Sequence, residues 1–505
     1  MPRLAVSAVS ALLFITVPGG RLFAGSAVGP NYHPPQPNVP ATYSARGQVR
    51  ESLPDAALAH WWKLFKDAQL DALVDEAMRN NHDVRIALAR VREARALRIS
   101  AASAFYPSID SSGGYTRERT SPNGPGGLQA AAFQQPVENN LFQTSLDMNW
   151  EVDVFGGTRR TVEAAQADIA AAQEDVGATL ISVLAEVGLN YLDLRGAQKQ
   201  LQVARENLHT QEETLALTRD RRQAGLSSEL DSARAEAQAE STQAQIPPLE
   251  EQVAHDIHRI GVLLGRPPEE LEKRLRVVRT LPVPVPGVPV GLPSDLVRRR
   301  PDIRRAERQL AAANARIGIA TADLFPRFFL TGAAGLESIN ASDFVTLGSR
   351  FWSLGPSIRW PIFTAGRIRG NIRAANAREE QALSQYEQTV LTSLEEVENA
   401  LVAFGKEQVR YHALSASQEA TKRSVVLATD RYKGGLEDFL TVLEAQRSLL
   451  AIEDETVRSE KTLSQNAVRL YKAFGGGWSS PVTTISGRTE PSKTKAKGRQ
   501  LVTGS

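Results

Sequence analysis

The chain has 505 residues, 23% of them charged and 6% aromatic, with a formal net charge of +2 and no cysteine. The near-neutral balance points to no nucleic acid or other strongly charged partner, and the missing cysteine excludes disulfides, thiolate catalysis and cysteine-based metal sites. Beyond the N-terminus there is no unbroken apolar run of the roughly 18 residues that a transmembrane helix needs, so none is expected inside the chain; a β-barrel stays open.

Residues 1–26 carry Arg3, an apolar stretch from Leu4 to Val17, a break at Pro18-Gly19-Gly20 and small residues at Ala24-Gly25-Ser26-Ala27. This has the form of a secretory signal peptide, and the proline and glycines argue against the alternative of a short buried helix. Val28-Gly29-Pro30-Asn31-Tyr32 and the prolines at 34, 35, 37 and 40 then predict an extended segment that wraps over a surface.

From Trp61-Trp62, apolar residues at Leu70, Leu73, Val74, Ala77, Val84, Leu88 and Val91 predict an amphipathic helix reaching about Ala104, stopped by Tyr106-Pro107. Leu146 to Val154 alternates at every step, with Leu146, Met148, Trp150 and Val152 on one face and acidic or polar residues on the other, as in a strand. A weaker alternation over Ile109–Arg117 precedes it, across a polar loop from Thr120 to Asn140.

A helix without an internal break is expected from Gly156-Gly157 to about Ala224, with apolar residues every seventh position from Leu180 through Val187, Leu194, Leu201 and Leu208 to Leu215. The short connector Ala224-Gly225-Leu226 predicts a hairpin into a second helix to Leu264, bent at Pro247-Pro248. Residues 266–291 form a proline-rich crossing.

The second half repeats this order. Leu292–Leu324 predicts a helix, Arg327–Leu336 a strand, and Trp352, Leu354, Ile358, Trp360 and Ile362 one apolar strand face, although Pro356 and Pro361 weaken that assignment. From Leu383 to Tyr432 a heptad line runs through Val390, Val397, Phe404, Tyr411 and Val425 with no proline between Pro361 and Pro481, the mark of a coiled-coil seam. A helix from about Gly366 to Gly434 is roughly 100 Å long at 1.5 Å per residue. The last helix, Leu436 to Phe474, carries two adjacent heptad lines, one including Leu443 and Leu450, which predicts contact with two neighbouring helices. The tail, 479–505, is polar and basic, the composition of a disordered segment.

Landmarks recur 210 residues apart, among them Trp150 and Trp360, Gly156 and Gly366, Asp220-Arg221 and Asp430-Arg431, and Gly265 and Gly475, so an internal duplication is read with repeats at 27–265 and 292–478. Four strands are too few to close a barrel. Their apolar face either packs on a core helix or meets lipid. The heptads commit the helices to each other, and the tryptophans suit an aromatic girdle, so the sequence favours lipid.

Residues His255 and His258 are spaced like metal ligands but have no third ligand nearby, and no nucleotide-binding, nucleophile-elbow or zinc-protease motif is present. The residues therefore predict neither an enzyme nor a cofactor.

Together, Val28-Gly29-Pro30-Asn31-Tyr32, Arg299-Arg300-Pro301-Asp302-Ile303, Arg431-Tyr432-Lys433-Gly434-Gly435, Leu443-Glu444-Ala445-Gln446-Arg447 and Leu470 to Trp478 resemble the outer-membrane efflux protein family, the TolC-type channel-tunnels, in the branch that serves resistance-nodulation-division pumps. The resemblance implies a mainly α-helical homotrimer of the Gram-negative outer membrane, with four strands per chain closing a shared twelve-stranded β-barrel in lipid and the long helices forming a periplasmic α-barrel. It also implies a periplasmic adaptor, an inner-membrane pump and passive conduction of drugs or other small molecules. By the family match, Leu440, Glu444 and Arg447 correspond to a periplasmic gate, and Asp231 with Tyr432 to a hydrogen-bonded pair that latches it; Thr441 stands where some members have a further acid. On the residues alone, Glu444 and Arg447 would read as a solvated helix face with an i,i+3 pair. The competing functional reading is a periplasmic coiled-coil scaffold or adaptor without a barrel.

Serine occupies position 26, where the family branch usually has its lipidated cysteine. The mature protein is therefore expected to begin near Ser26 or Ala27 with no acyl group. Intact mass of the membrane-extracted protein checks this, and an acyl adduct would contradict it.

Overall fold

A computed structural model describes residues 27–37, 39–44, 55–124, 132, 138–283 and 293–478. The predicted signal peptide with Ser26, the polar tail from 479 and residues 284–292 of the crossing lie outside the described residues. The chain divides into two units, the first comprising Met1–Pro34, Arg95–Asp168 and Leu310–Ala382, and the second Pro35–Ala94, Ile169–Gln309 and Leu383–Ser505.

The first unit is built on a four-stranded antiparallel sheet, β1 (Ser108–Arg119), β2 (Glu138–Val152), β3 (Arg327–Ser338) and β4 (Arg350–Arg359), in the order β1-β2-β3-β4. Residues opposite each other share a face, so the register sorts the sequence alternation into two surfaces. Ile109, Met148, Gly332 and Leu354 form one row, Leu146, Ala334 and Trp352 the next, and Val152, Phe328 and Ile358 another, all on one side. The other side carries Asp110, Asp147 and Ser353 in one row and Ser112 and Ser145 in the next. There the Ser145 hydroxyl donates to Asp147 at 2.8 Å.

Pro356 is accommodated within β4 because β4 is an edge strand. The strand ends at Arg359, so Trp360 and Ile362 fall just beyond it, where Pro361 removes a ladder donor. At the close of each strand pair the backbone turns through a left-handed glycine, Gly156 at φ 86° and Gly366 at φ 85°, a conformation that costs glycine little. Trp150 and Trp360 each anchor the indole to a carbonyl near a preceding helix end, Trp150 to Phe105 and Trp360 to Leu324, both at 3.1 Å.

The N-terminal arm joins this unit through Arg160. Its buried guanidinium donates to the Val28 carbonyl at 3.0 Å and the Asn31 side chain at 2.9 Å, and pairs with Glu163 at 2.8 Å. Gly29, at φ 89°, lies so close to Gly318 that a Cβ on it would stand 2.5 Å from the Gly318 Cα. Residues 28–31 of the arm thus dock by backbone carbonyls and glycine contact, whereas Val39 and Tyr43 further along pack apolar side chains into buried clusters.

Elsewhere the chain is helical: α1 (Ala68–Asn80), α2 (His82–Ser103), α3 (Gly157–Gln223), α4 (Glu229–Gln243), α5 (Ile246–Leu263), α6 (Pro293–Arg299), α7 (Pro301–Ala322), α8 (Arg367–Lys433) and α9 (Phe439–Ala473). The expected single helix from Trp61 to Ala104 is broken. A 3-10 turn holds Trp61–Phe65, and Asn81 separates α1 from α2. Its Oδ1 accepts from the Asp83 and Val84 amides at 2.8 and 3.2 Å while its Nδ2 donates to Leu263, a cap that periodicity does not register. The expected helix from Leu292 breaks likewise before Pro301, and the helix expected from Ser227 to Leu264 divides at Ala244-Gln245, with prolines in the first turn of α5.

α3 and α8 each run 67 residues. In the second unit Leu184, Leu192, Leu194, Ile257, Ile260, Leu264, Val468 and Leu470 share one buried cluster with Trp61, which stacks on Tyr471 at 5.8 Å. Gly188 permits this packing, since a Cβ there would stand 2.7 Å from the Trp61 ring. α3 contains a window apolar enough, by length and composition, to cross a membrane, and half of that window is buried. It therefore qualifies the sequence expectation of no such helix, and its apolarity has a use as core. The Arg300-Pro301-Asp302 motif ties α8 and α9 together. Arg300 donates to Asp302 at 2.6 Å, Glu396 at 2.7 Å and the Ala473 carbonyl at 3.0 Å. Burial opposes the charge of Asp302, but the Arg300 guanidinium holds its carboxyl below the usual range.

Replacing Arg160 with Gln should remove about 3 kcal/mol of arm docking, the usual worth of charge-assisted hydrogen bonds. Hydrogen exchange should then show residues 28–31 exchanging much faster while the strand amides stay protected. Unchanged protection of the arm would contradict this role.

Candidate functional site

Two helical hairpins and one sheet face carry the residues singled out by sequence. Each hairpin closes the same way. After α3, Leu226 N donates to the Arg221 carbonyl at 2.8 Å and Gly225 N to Arg222 at 2.9 Å; after α8, Leu436 N donates to Arg431 at 2.9 Å and Gly435 N to Tyr432 at 3.0 Å. These are Schellman closures, and Gly225 and Gly435 supply their left-handed residue at φ 73° and 71°.

The hairpins pack together within one chain. Ala235 from α4, Ala428 and Tyr432 from α8, and Phe439, Val442 and Leu443 from α9 form a buried cluster, against which Leu215 and Leu217 of α3 pack. Leu443, expected to contact a neighbouring helix, is only 2% exposed inside this intrachain cluster. One heptad line of α9 is thus used by the chain's own helices.

Asp231 and Tyr432, the expected latch pair, each make contacts of their own. The Asp231 carboxylate accepts from the Ser228 amide at 3.2 Å and its own amide donates to Ser228 Oγ at 3.3 Å, a capping box that starts α4. The Tyr432 hydroxyl is buried, and no hydrogen bond joins it to Asp231. Burial pushes the phenol's pKa up; Arg221 opposes that shift and Asp231 reinforces it. What grips Tyr432 is Arg221, whose guanidinium carbon sits 4.8 Å from the ring centroid and whose Nη1 donates to the Lys433 carbonyl at 3.2 Å. A cation is well placed there, because the last carbonyls of α8 carry the negative end of its dipole. Arg221 stood in the sequence as a duplicated landmark with Arg431, but periodicity gave no reason to place it on Tyr432. Its counterpart Arg431 pairs instead with Glu437 at 3.1 Å.

Leu440 is 42% exposed and Glu444, one turn on, is also exposed, so both lie on the open face of α9. Arg447 does not pair with Glu444. Its Nε donates to Gln238 of α4 at 2.6 Å, a cross-hairpin bond.

The apolar sheet face is open as well. Trp352 is 80% exposed, and Ile109, Leu146, Leu354 and Ile358 are exposed with it, while Met148, Trp150 and Val152 are half-buried. Trp360 and Ile362 continue the exposed apolar surface past the strand. His255 is exposed, and among the described residues no group of three or more His, Cys, Asp or Glu side chains could hold a metal.

Comparison with known proteins places these features. A family model described as outer membrane efflux protein matches residues 73–266 and again 292–476. The toluene efflux pump outer membrane protein TtgF of Pseudomonas putida is 35% identical over 86% of this chain and 88% of its own length. The pyoverdine export outer membrane protein OpmQ of Pseudomonas aeruginosa is 33% identical over 84% of this chain and 88% of its own. The solved outer-membrane channel OprN superposes with a TM-score of 0.82 at 39% identity, covering 89% of this chain and 99% of that one. With a family model spanning both halves and relatives aligned over most of their length, the chain belongs to the outer membrane efflux protein family.

Proposed function

We propose that the chain is one third of a passive outer-membrane duct that receives cargo from a periplasmic adaptor and an inner-membrane pump of the resistance-nodulation-division type. The observation that carries this reading is the sheet itself. Four strands leave β1 and β4 with unpaired edges, and one face is an exposed apolar surface ending in tryptophans. Edges of this kind are covered by pairing with another chain, and three copies supply the twelve strands of a closed barrel. Lipid then covers the apolar face, and the serine- and aspartate-bearing face lines water. A coiled-coil scaffold without a barrel gives this alternation no purpose.

The duplication is read from the double family match and from α3 and α8, equal in length and offset by 210 residues. On this reading the repeats at 27–265 and 292–478 each contribute two strands and one helical hairpin, joined by the crossing at 266–291. Cargo as unlike as toluene and pyoverdine, in the names of the relatives, suits a wide aqueous duct without a selective pocket.

The periplasmic aperture is assigned to Leu440 and Glu444, which would place an apolar ring beside a carboxylate ring on the axis of three chains. Arg447 and Gln238 brace it, and Arg221 on Tyr432 is the latch that holds the two hairpins of a chain together, with Asp231 shaping the first turn of α4. Opening exchanges these contacts for contacts with the adaptor, a population shift between two states.

Arg221→Ala with Tyr432→Ala should remove about 1–2 kcal/mol from the closed state, shifting the closed-to-open ratio roughly tenfold. Planar-bilayer recordings should show a raised mean conductance, and Tyr432→Phe should leave it near wild type because it keeps the ring that Arg221 covers. Conductance unchanged in the double variant would remove the latch assignment.

A second recording addresses the ring. Glu444→Gln should lower cation preference while leaving thermal stability within about 0.5 kcal/mol of wild type, as for an exposed surface change. Unaltered selectivity would place the aperture elsewhere.

A further inference from the structure

The outward face of the sheet does not end with its apolar rows. Following the register from Val152 to Phe142, the stretch of β2 covers roughly 26 Å along the membrane normal at about 3.4 Å per residue and a tilt near 40°, close to the ~25 Å apolar band of outer-membrane barrels. Its upper limit is aromatic: Tyr115 lies opposite Phe142, with ring centroids 4.8 Å apart, and Phe344 adds a third ring 6.2 Å from Phe142. Beyond it, still on the same face, come Arg117 opposite Asn140 and Arg119 opposite Glu138, roughly 5 and 10 Å higher. Loops join the strands at this end, so on the membrane reading it is the extracellular rim.

The two arginines are organised around a single acid. Arg117 Nη2 donates to one oxygen of Glu138 at 2.9 Å and Arg119 Nη1 to the other at 3.1 Å. Both guanidiniums remain about two-thirds exposed. One carboxylate cannot neutralise two guanidiniums, and each guanidinium has five N–H donors. Glu138 therefore fixes a pair of planar, outward-facing donor groups that keeps a net positive charge and most of its hydrogen-bonding capacity. Arg350, on the same face two rows below Arg117, brings a further cation close to the rim.

We propose that Arg117 and Arg119, held by Glu138, form a binding site for the phosphate of an outer-leaflet lipid headgroup. This proposal rests on the reading of the apolar face as lipid-facing. The chemistry is specific to phosphate rather than to apolar chains: paired guanidiniums match its oxygens by parallel N–H bonds, and the height places them where headgroups begin. The site would hold lipid around each chain at the rim and fix the vertical position of the barrel.

The test uses the full-length membrane-extracted protein in phosphatidylcholine vesicles doped with bis-phosphorylated lipid A, with lipid retained per chain read by native mass spectrometry. Wild type should retain lipid A, and Arg117→Gln with Arg119→Gln should weaken retention about tenfold. Dephosphorylated lipid A should bind wild type as weakly as lipid A binds the variant. Glu138→Gln, which frees both guanidiniums, should retain lipid A at least as well as wild type; loss in that variant would make the trio merely structural. Equal retention by the double arginine variant, or displacement of lipid A by millimolar inorganic phosphate, would overturn the proposal. Flotation with undoped vesicles separates the two readings: wild type that fails to float defeats the membrane assignment, whereas floating protein indifferent to the arginine changes defeats only the phosphate site.

Discussion

Unpaired backbone at the two edges of a four-stranded sheet is the constraint from which the account follows. In water such edges invite aggregation, and in hydrocarbon every unpaired N–H and C=O costs several kcal/mol, so only a closed barrel is tolerated. The apolar rows through Met148, Leu146 and Trp352 decide which solvent the sheet faces. On the proposed reading, the edges and the apolar face are satisfied together, by more copies of the chain and by lipid.

On the proposed reading, the helical part answers a different requirement, that of a wall able to change state. Its core is anchored by large side chains, Trp61 on Tyr471 and the leucines around them, with Gly188 cut back to admit the indole. The hairpin tips are held more lightly. A guanidinium on an aromatic ring and one arginine to a glutamine are contacts of about 1 kcal/mol apiece, beside the buried cluster around Phe439.

Much of this was legible in the residues. Alternation located all four strands and heptads located both long helices, because these periods persist over many residues and average out local exceptions. The breaks were not legible. Asn81 ends α1 by bonding to the Leu263 carbonyl, far away in sequence, and Leu443 reads as a seam residue until its packing against its own chain is seen. The latch shows the same limit. Family correspondence pointed to Asp231 and Tyr432 as a pair; the Asp231 carboxylate lies in the Ser228 capping box and Arg221 over the Tyr432 ring, contacts that periodicity does not specify.

The most direct test of the account is the mass of the membrane-extracted chain in mild detergent, by multi-angle light scattering with the detergent contribution subtracted. The account predicts a single species of three chains, each of at most 55.0 kDa, because sheet edges and apolar face are satisfied only together. A stable monomer that stays soluble after detergent removal would contradict it.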